Sequence, residues 1–547
     1  MTHPFSLRRL THATLLILGL QLTHLAAAAD PEWIYGVKPG DTVVSIAKEY
    51  LTNPNHWTRL VALNKITQDT RLPPGTKLRL PVALLKREAV AAEVVDAQGK
   101  VTRTSKNGQP VPLTKGTQLQ TGDTIDTGPD STAALRFVDA SRLLLTPNTT
   151  LSLSELLLLG KTGIAQTVME LKRGSIDTKV AKQQLPAGRY EVNSRAVNLA
   201  VRGTDFRASV DENQVGRSEV LEGGVQASAA GKPVQVPAGF GTSAAPGEAA
   251  REPVPLLPAP DLKGVDARLE RVPLRFQWQA VAGVKSYRAQ VFADKTFERL
   301  LLDGVFPTNG AKWADLPDGR YVLRVRSIDP SGLEGLNADH EFVLKARPEA
   351  PFISAPADGG KAYGPEVKLT WGASTVAESY HVQLSAKPDF STLISDVKDL
   401  KATELSVPLE PGQYYWRVAS IAAGQDHGPF SDTQAYSQRK IPESPKTEAP
   451  GMDEKSLSFR WRAGDAGAKY QVQLANDTAF TKPLLDKVYA ENQVQIERPE
   501  PGIYFMRMKT IDADGFVGPY GAAQRVVVPG TPSKPWWLLL LLLPLAM

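Results

Sequence analysis

Three strings in the second half of this chain repeat one plan: LRFQWQAVAGVKSYRAQVFADKTF, VKLTWGASTVAESYHVQLSAKPDF and LSFRWRAGDAGAKYQVQLANDTAF. Each copy is anchored on a tryptophan, Trp278, Trp371 and Trp461, with Tyr287, Tyr380 and Tyr470 following 9 residues later and Phe297, Phe390 and Phe480 following 19 later. The register then holds without a gap: Gly319, Gly412 and Gly502 lie 41 residues on, Tyr321, Tyr414 and Tyr504 lie 43 on, Arg324, Arg417 and Arg507 lie 46 on, and Ile328, Ile421 and Ile511 lie 50 on. Successive copies start 93 and 90 residues apart. A period of that length, built from short alternating apolar runs between turn residues, requires one β module used three times. At 547 residues the chain is too long for a single core, so several independent modules are expected.

The repeats resemble β-sandwiches of fibronectin type III or immunoglobulin-like build, over 263–346, 347–443 and 444–530. The recurring Trp and Tyr are read as core. A sugar-stacking role for them is the alternative. The repeats are expected to space or present the other modules and to add protein contacts.

The stretch IYGVKPGDTVVSIAKEYLTNPNHWTRLVALNKITQDTRLPPGTKLRLP is organised differently. Trp33, Tyr35 and Val37 alternate as in a strand, and Gly40-Asp41-Thr42 breaks it and offers side-chain oxygens for a helix start. Ile46, Ala47 and Tyr50 then share a helix face. Asn53-Pro54-Asn55 opens a second helix carrying Trp57, Leu60, Val61 and Asn64, and Leu78 and Leu80 alternate with Lys77 and Arg79 in a closing strand. The order strand, helix, helix, strand and these motifs resemble a LysM domain, placed over 33–82. The resemblance implies binding of peptidoglycan or another N-acetylglucosamine-containing glycan. The groove would lie between the loop of Gly40, Asp41, Thr42 and Val43 and the loop of Asn64, Lys65, Ile66 and Pro74. Backbone amides would bond the acetamido groups there, and small apolar side chains would pack on their methyls. Val43 and Val44 depart from the family pattern of Leu followed by a large aromatic or polar residue. The competing reading is a degenerate spacer whose glycines only make turns.

Over 85–231 the pattern changes to short alternating runs punctuated by Gly, Pro, Asp and Ser. Gly122-Asp123 ahead of Ile125-x-Thr127-Gly128, the Phe137-x-Asp139-x-Ser141 turn, Leu171-x-x-Gly174, Val201-Arg202-Gly203-Thr204-Asp205-Phe206 and Val220-Leu221-Glu222-Gly223 together resemble the FecR domain. Gly203 is expected at a tight turn and Phe206 in the core, while Arg202 and Asp205 are read as structural, pairing or hydrogen-bonding across that turn. The family resemblance implies signalling across the inner membrane, but such a relay needs a cytoplasmic segment before a membrane span. Only a few residues precede the first apolar run here, so the resemblance is taken for fold and for protein interaction. The Ala-, Pro- and Gly-rich stretch 232–262 reads as a semi-rigid linker.

Arg8-Arg9, the apolar run Ala13 to Leu25 and the alanines from Ala26 to Ala29 have the form of a secretory signal over 1–29. The hydrophobic tail 531–547 carries Trp536-Trp537 and six consecutive leucines. Its apolar end of 12 residues spans about 18 Å as a helix, short of a bilayer core of about 30 Å. It is read as a membrane contact, the alternative being burial on a partner. The mild net charge of +5, with no basic cluster interleaved with aromatics, points away from nucleic acid. There is no cysteine, and His56, His340, His381 and His427 are scattered over different modules outside any metal-binding pattern. No nucleophile elbow or phosphate loop is present. The expected protein is multidomain and mainly β: a small βααβ head, an all-β FecR-like module and three sandwiches. It is expected to be non-enzymatic, without cofactor or metal, in the periplasm or cell envelope, bound to glycan and to an envelope protein partner. A signalling protein whose FecR-like module senses that partner is the alternative, and a hydrolase hidden in the middle module is a third reading.

Overall fold

The computed structural model describes residues 31–67, 72–182 and 187–530. The signal reading over 1–29 and the tail over 531–547 lie outside the described residues. The chain divides into two compact units between Lys345 and Ala346. Among the described residues no helix is long and apolar enough to cross a membrane.

The head pairs strand Glu32–Gly36 antiparallel with Lys77–Pro81, and between them run helices Val43–Tyr50 and Trp57–Asn64. Thr42 starts the first helix through a reciprocal cap: its hydroxyl accepts from the Ser45 N–H at 3.0 Å, and its own N–H donates to the Ser45 hydroxyl at 2.9 Å. The buried face of that helix is Val43, Ile46, Ala47 and Tyr50, and Leu60 fills the same core from the second helix. This core does not stop at the head. Leu159 and Ile164, which flank a tight turn of the following module, belong to it. The Lys86 N–H donates to the Tyr50 carbonyl at 2.8 Å, and Lys161 pairs with Glu49 at 3.0 Å.

The strands of the second module close into a barrel, whose two sheets share one strand, Ala165–Lys179. Its first part pairs with Thr150–Leu158 and, in parallel, with Arg189–Asn193. Its last part pairs with Arg142–Leu145 and Asp205–Val210 in the other sheet. Gly174 sits where the strand passes from one sheet to the other, at φ +87°, and a Cβ there would lie 2.3 Å from Thr149 Oγ1 and 2.5 Å from Thr149 Cα. Only glycine allows both the left-handed backbone and that approach. Leu135, Leu151, Met169, Ile176, Phe206 and Val220 form the core between the sheets. Gly203 takes φ +63°, and Asp205 pairs with Lys179 at 3.8 Å.

The linker expected over 232–262 is corrected by the structure as far as Pro255. Lys232–Pro237 closes a hairpin with Gly224–Ala229, Phe240–Ala244 pairs with Gly216–Glu222, and Val254–Pro255 pairs with Phe240 and Gly241. Composition misled here because Pro233 and Pro237 stand inside a paired strand, opposite Ser228 and Gly224, and proline in a strand is compatible with pairing wherever its missing N–H is not needed by the ladder. Gly241 is also a packing glycine: a Cβ would meet Leu256 at 2.9 Å and Leu333 at 3.1 Å.

The three repeats are sandwiches. In the first, a sheet of Arg268–Leu269, Ala338–Leu344, Gly319–Ile328, Ser286–Phe292 and Leu300–Phe306 faces the pair Leu274–Gln277 and Gly310–Trp313, with Phe276 against Phe342 at 5.0 Å. The repeated positions each have a structural task. Trp278, Trp371 and Trp461 are buried against Tyr287, Tyr380 and Tyr470 in edge-to-face contacts of 5.5, 5.6 and 5.3 Å. Those tyrosine hydroxyls accept from the N–H of Val281, Ser374 and Gly464. Tyr321, Tyr414 and Tyr504 donate to the carbonyls of Pro317, Glu410 and Glu500 four residues back, the tyrosine corner of such sandwiches. Gly319, Gly412 and Gly502 leave room for those rings, which a Cβ would meet at 3.0, 3.3 and 3.5 Å. Phe297, Phe390 and Phe480 hold φ of +56°, +58° and +56°, and their rings lie 3.6, 3.8 and 4.1 Å from the guanidinium carbons of Arg324, Arg417 and Arg507. The burial of the Trp and Tyr residues and their bonds within each module support the core reading over sugar stacking.

One more repeated position carries the joints. Gly335, Gly428 and Gly518 each lie 57 residues after their Trp, and a Cβ would strike the carbonyl oxygens of Leu257, Pro348 and Pro442 at 2.6, 1.9 and 2.5 Å. The incoming segment of each sandwich crosses at that glycine. Ser420 and Thr510 pin it in the second and third copies by donating to the carbonyls of Glu349 and Glu443, both at 2.7 Å. Between the second and third sandwiches Tyr363 stacks on Phe516 at 3.9 Å, donates to Asp514 at 2.9 Å, and lies beside the Lys361–Asp514 pair at 2.6 Å.

Gly174→Ala is expected to destabilise the second module by about 3 kcal/mol or more, since both the backbone and Thr149 must move. Calorimetry should show the transition of the first unit falling while that of residues 346–530 is unchanged.

Candidate functional site

The residues singled out in the head fall into distinct roles. Gly40, at φ +92°, is exposed, and a Cβ there would meet nothing within 4 Å, so backbone conformation rather than space selects glycine. The Asp41 carboxylate accepts from the Tyr35 hydroxyl and from the Lys38 N–H, both at 2.7 Å, which closes the loop on itself. Burial, then the hydrogen bond to Asp41, push the Tyr35 phenol well above its ordinary pKa. Thr42 is committed to the helix cap. Val43 is fully buried. Its side chain therefore belongs to the core, and only its backbone, at the helix N-terminus where amides lack intrahelical acceptors, is left for contact with another molecule. Val44 is half exposed at the next position.

On the other side, Asn64 is a strap. Its amide donates to the Leu60 and Arg79 carbonyls, both at 2.9 Å, and its oxygen accepts from the Arg79 N–H at 2.7 Å. This ties the end of the second helix to the last strand. Lys65 ends the helix in the left-handed conformation at φ +52°, and Ile66 turns back with its N–H on the Val61 carbonyl at 3.0 Å. Ile66 is half-buried against the core, while Lys65 and Pro74 are exposed. The Gly75 N–H donates to the Val37 carbonyl at 2.8 Å, and the Val37 N–H to the Thr76 carbonyl at 2.9 Å. The Gly40 loop and the Pro74–Thr76 turn are thus held side by side, and Asn64–Ile66 is fastened to the strand that leaves that turn.

Two features escaped the sequence reading. Tyr35 organises the first loop through Asp41, which its place two residues after Trp33 in an alternating strand could have suggested. Trp33, Tyr35 and Tyr50 form a cluster with ring centroids 5.1–5.6 Å apart. The charge pattern is the second feature. Between residues 31 and 81 there are seven Lys and Arg against four Asp and Glu, whereas 82–530 balance to zero. Two of the head's acids are engaged in ion pairs, Glu32 with Arg79 at 3.2 Å and Glu49 with Lys161, and Asp41 is turned onto Tyr35 and Lys38. Lys38, Lys65 and Lys77 are exposed beside the two loops. Among the described residues, no three His, Asp or Glu side chains are grouped so as to hold a metal ion.

Residues 35–81 match the LysM domain family, and residues 123–226 match the family described as FecR protein. No curated protein matches the chain. Among solved structures, the chain is similar to the FN1-FN3 domains of chicken CNTN1, at 16% identity over 50% of this chain and 100% of that one, with a TM-score of 0.23. It is also similar to a candidate anti-sigma factor from Parabacteroides distasonis, at 13% identity over 24% of this chain and 57% of that one, with a TM-score of 0.20.

Asn64→Ala should remove three hydrogen bonds at once and leave the Arg79 backbone groups to seek new partners. A loss of about 1–3 kcal/mol in the head is expected. Hydrogen exchange of the Arg79 amide checks it: protection should fall there while the core strands of the second module keep theirs.

Proposed function

We propose, starting from a LysM domain at 35–81 and a FecR module behind it, that this chain is a non-enzymatic cell-envelope protein that binds peptidoglycan through its head. The observation that carries the reading is the pair of exposed loops around Gly40 and Pro74–Gly75. They present backbone groups and small side chains on a surface whose own carboxylate is turned inward. Gly40, Asp41, Thr42, Asn64, Lys65, Ile66, Pro74 and the backbone of Val43 are the proposed contact set, with Asp41, Thr42 and Asn64 acting mainly by shaping the loops. Lys38, Lys65 and Lys77 add a positive border, which suits a glycan carrying carboxylated peptide stems better than neutral chitin. The FecR module and the sandwiches serve as a scaffold for protein contacts. The match over 123–226 also supports a second reading, in which that module senses an envelope protein and the head only localises it.

The test is sedimentation of the full-length chain with insoluble peptidoglycan. Removing the head is a poor control, because Leu159 and Ile164 share its core. Point variants are preferable: Lys65→Glu combined with Lys77→Glu should weaken binding about tenfold, and added salt should weaken the unmodified protein in the same direction. An unmodified protein that stays in the supernatant would sink the glycan reading. Unchanged sedimentation of the double variant and of Ile66→Asp would move the contact to another module and favour the sensing alternative.

A further inference from the structure

Where the second module meets the first sandwich, charged side chains from both are enclosed together. Arg207, on strand Asp205–Val210, and Glu219, on strand Gly216–Glu222, come from the module. Glu334 comes from the turn that follows sandwich strand Gly319–Ile328, Arg326 from that strand, and Arg288 from Ser286–Phe292. Asp177, near the end of the long shared strand, and Asp303 complete the group. The Arg207, Arg326 and Glu219 side chains retain only 1–2% of their exposure. Ions withdrawn from water this far must be compensated locally.

The compensation is uneven. Glu334 is bonded to Arg326 at 2.7 Å and to Arg288 at 3.0 Å, Arg288 is also bidentate on Asp303, and Arg326 reaches Asp177 and the Gln290 oxygen. Arg207 donates to the carbonyls of Glu334 and Gly335 at 2.6 and 2.7 Å and to the Asn337 side chain at 3.0 Å. Glu219 is left with the Glu334 N–H at 3.2 Å and the Arg207 Nε at 3.6 Å, and that nitrogen makes no hydrogen bond and lies only 3.9 Å from Glu334 as well. Three guanidinium groups thus face four carboxylates, and the surplus falls on the acid with the weakest partners. Burial raises the Glu219 carboxyl above the usual carboxylate range more than Arg207 lowers it, with the charge of Glu334 adding to the rise. Burial acts the same way on Glu334, but Arg288, Arg326 and Arg207 outweigh it and hold that acid low. Elsewhere around Glu219, Arg217 of its own strand is bonded to Asp211 and the Ser331 carbonyl, and strand Phe240–Ala244 beside it has no ionisable side chain. Asp205, on the other neighbouring strand, pairs with Lys179.

We propose that Glu219 holds the proton that balances this cluster, and that the contact between the second module and the first sandwich is a proton-dependent latch. The sign follows from linkage. Apart, the two faces are wetted and Glu219 ionises in the ordinary carboxylate range; together, they keep it protonated. Docking therefore takes up a proton, is tightest at acid pH, and weakens by up to about a decade per pH unit until the docked acid itself ionises. Opening would free the Asp329–Asn337 turn and the cleft beside it, of about 610 Å³, which is lined by Arg142, Lys179, Asp205, Lys295 and Arg324.

Hydrogen exchange on the full chain tests this, read at the amide of Glu334, which donates to Glu219 across the contact. After correction for intrinsic rates, opening should rise at least about tenfold from about pH 5.5 to about pH 8. In Glu219→Gln, a neutral side chain of the same shape whose amide oxygen can still accept this bond, the Glu334 amide should stay protected across that range. A pH-independent unmodified protein, a Glu219→Gln junction already open at acid pH, or a pH response that survives the substitution each overturns the latch. Infrared spectroscopy of the unmodified protein gives a second readout should the variant fail to fold: a buried protonated-carboxyl band must be present at about pH 6. Its absence also overturns the proposal.

Discussion

The strand Ala165–Lys179 is the member on which the first unit depends. At about 3.3 Å per residue its 15 residues span about 50 Å, long enough to serve two sheets in turn. It can do so because Gly174 takes a left-handed conformation against Thr149, where any side chain would collide. The turn that precedes it contributes Leu159 and Ile164 to the core of the head, and Asp177, near its far end, meets Arg326 of the first sandwich. Head, second module and first sandwich are consequently held by one continuous element. The glycan-binding surface proposed for the head is mounted on a packed base rather than carried on a tether.

The repeats show how much of a sandwich can be read from spacing. Trp, Tyr, Phe, Gly, Tyr and Arg recur at fixed offsets because each satisfies a need inside its own module: a core ring, a hydroxyl that accepts a backbone bond, a corner, a gap under that corner, and a cation stacked on an aromatic face. Gly335, Gly428 and Gly518 recur just as strictly but went unread. The atom that excludes a side chain there is a carbonyl of the incoming segment, some 75 to 80 residues earlier in sequence, and no local periodicity reports it. The same limit explains the stretch 232–262. Its prolines and alanines look like a linker until Gly224–Ala229 and Gly216–Glu222 are seen to pair with it.

In the head, the two helices, the two strands and the cap at Thr42 were legible, since all are set by side chains within a few residues of one another. The roles of the individual loop residues were less so. Asp41 proves to be bonded to Tyr35, Asn64 to Arg79, and Val43 to be core, because a short loop has few residues and most of them must first hold its shape. The basic border of the head was in the sequence from the outset, but it became informative only once the acids were seen to be engaged elsewhere.

The sequence by itself determined the kinds of module and their order, because hydrophobic period, turn residues and helix caps act over short range. Tertiary structure decided where the second module ends, which glycines are joints, and that Arg207, Glu219, Arg326 and Glu334 are withdrawn from water together. In the sequence those four residues are ordinary charged residues of surface type. The cost of a charge depends on what covers it, and here the cover comes from a strand and a turn more than 100 residues apart.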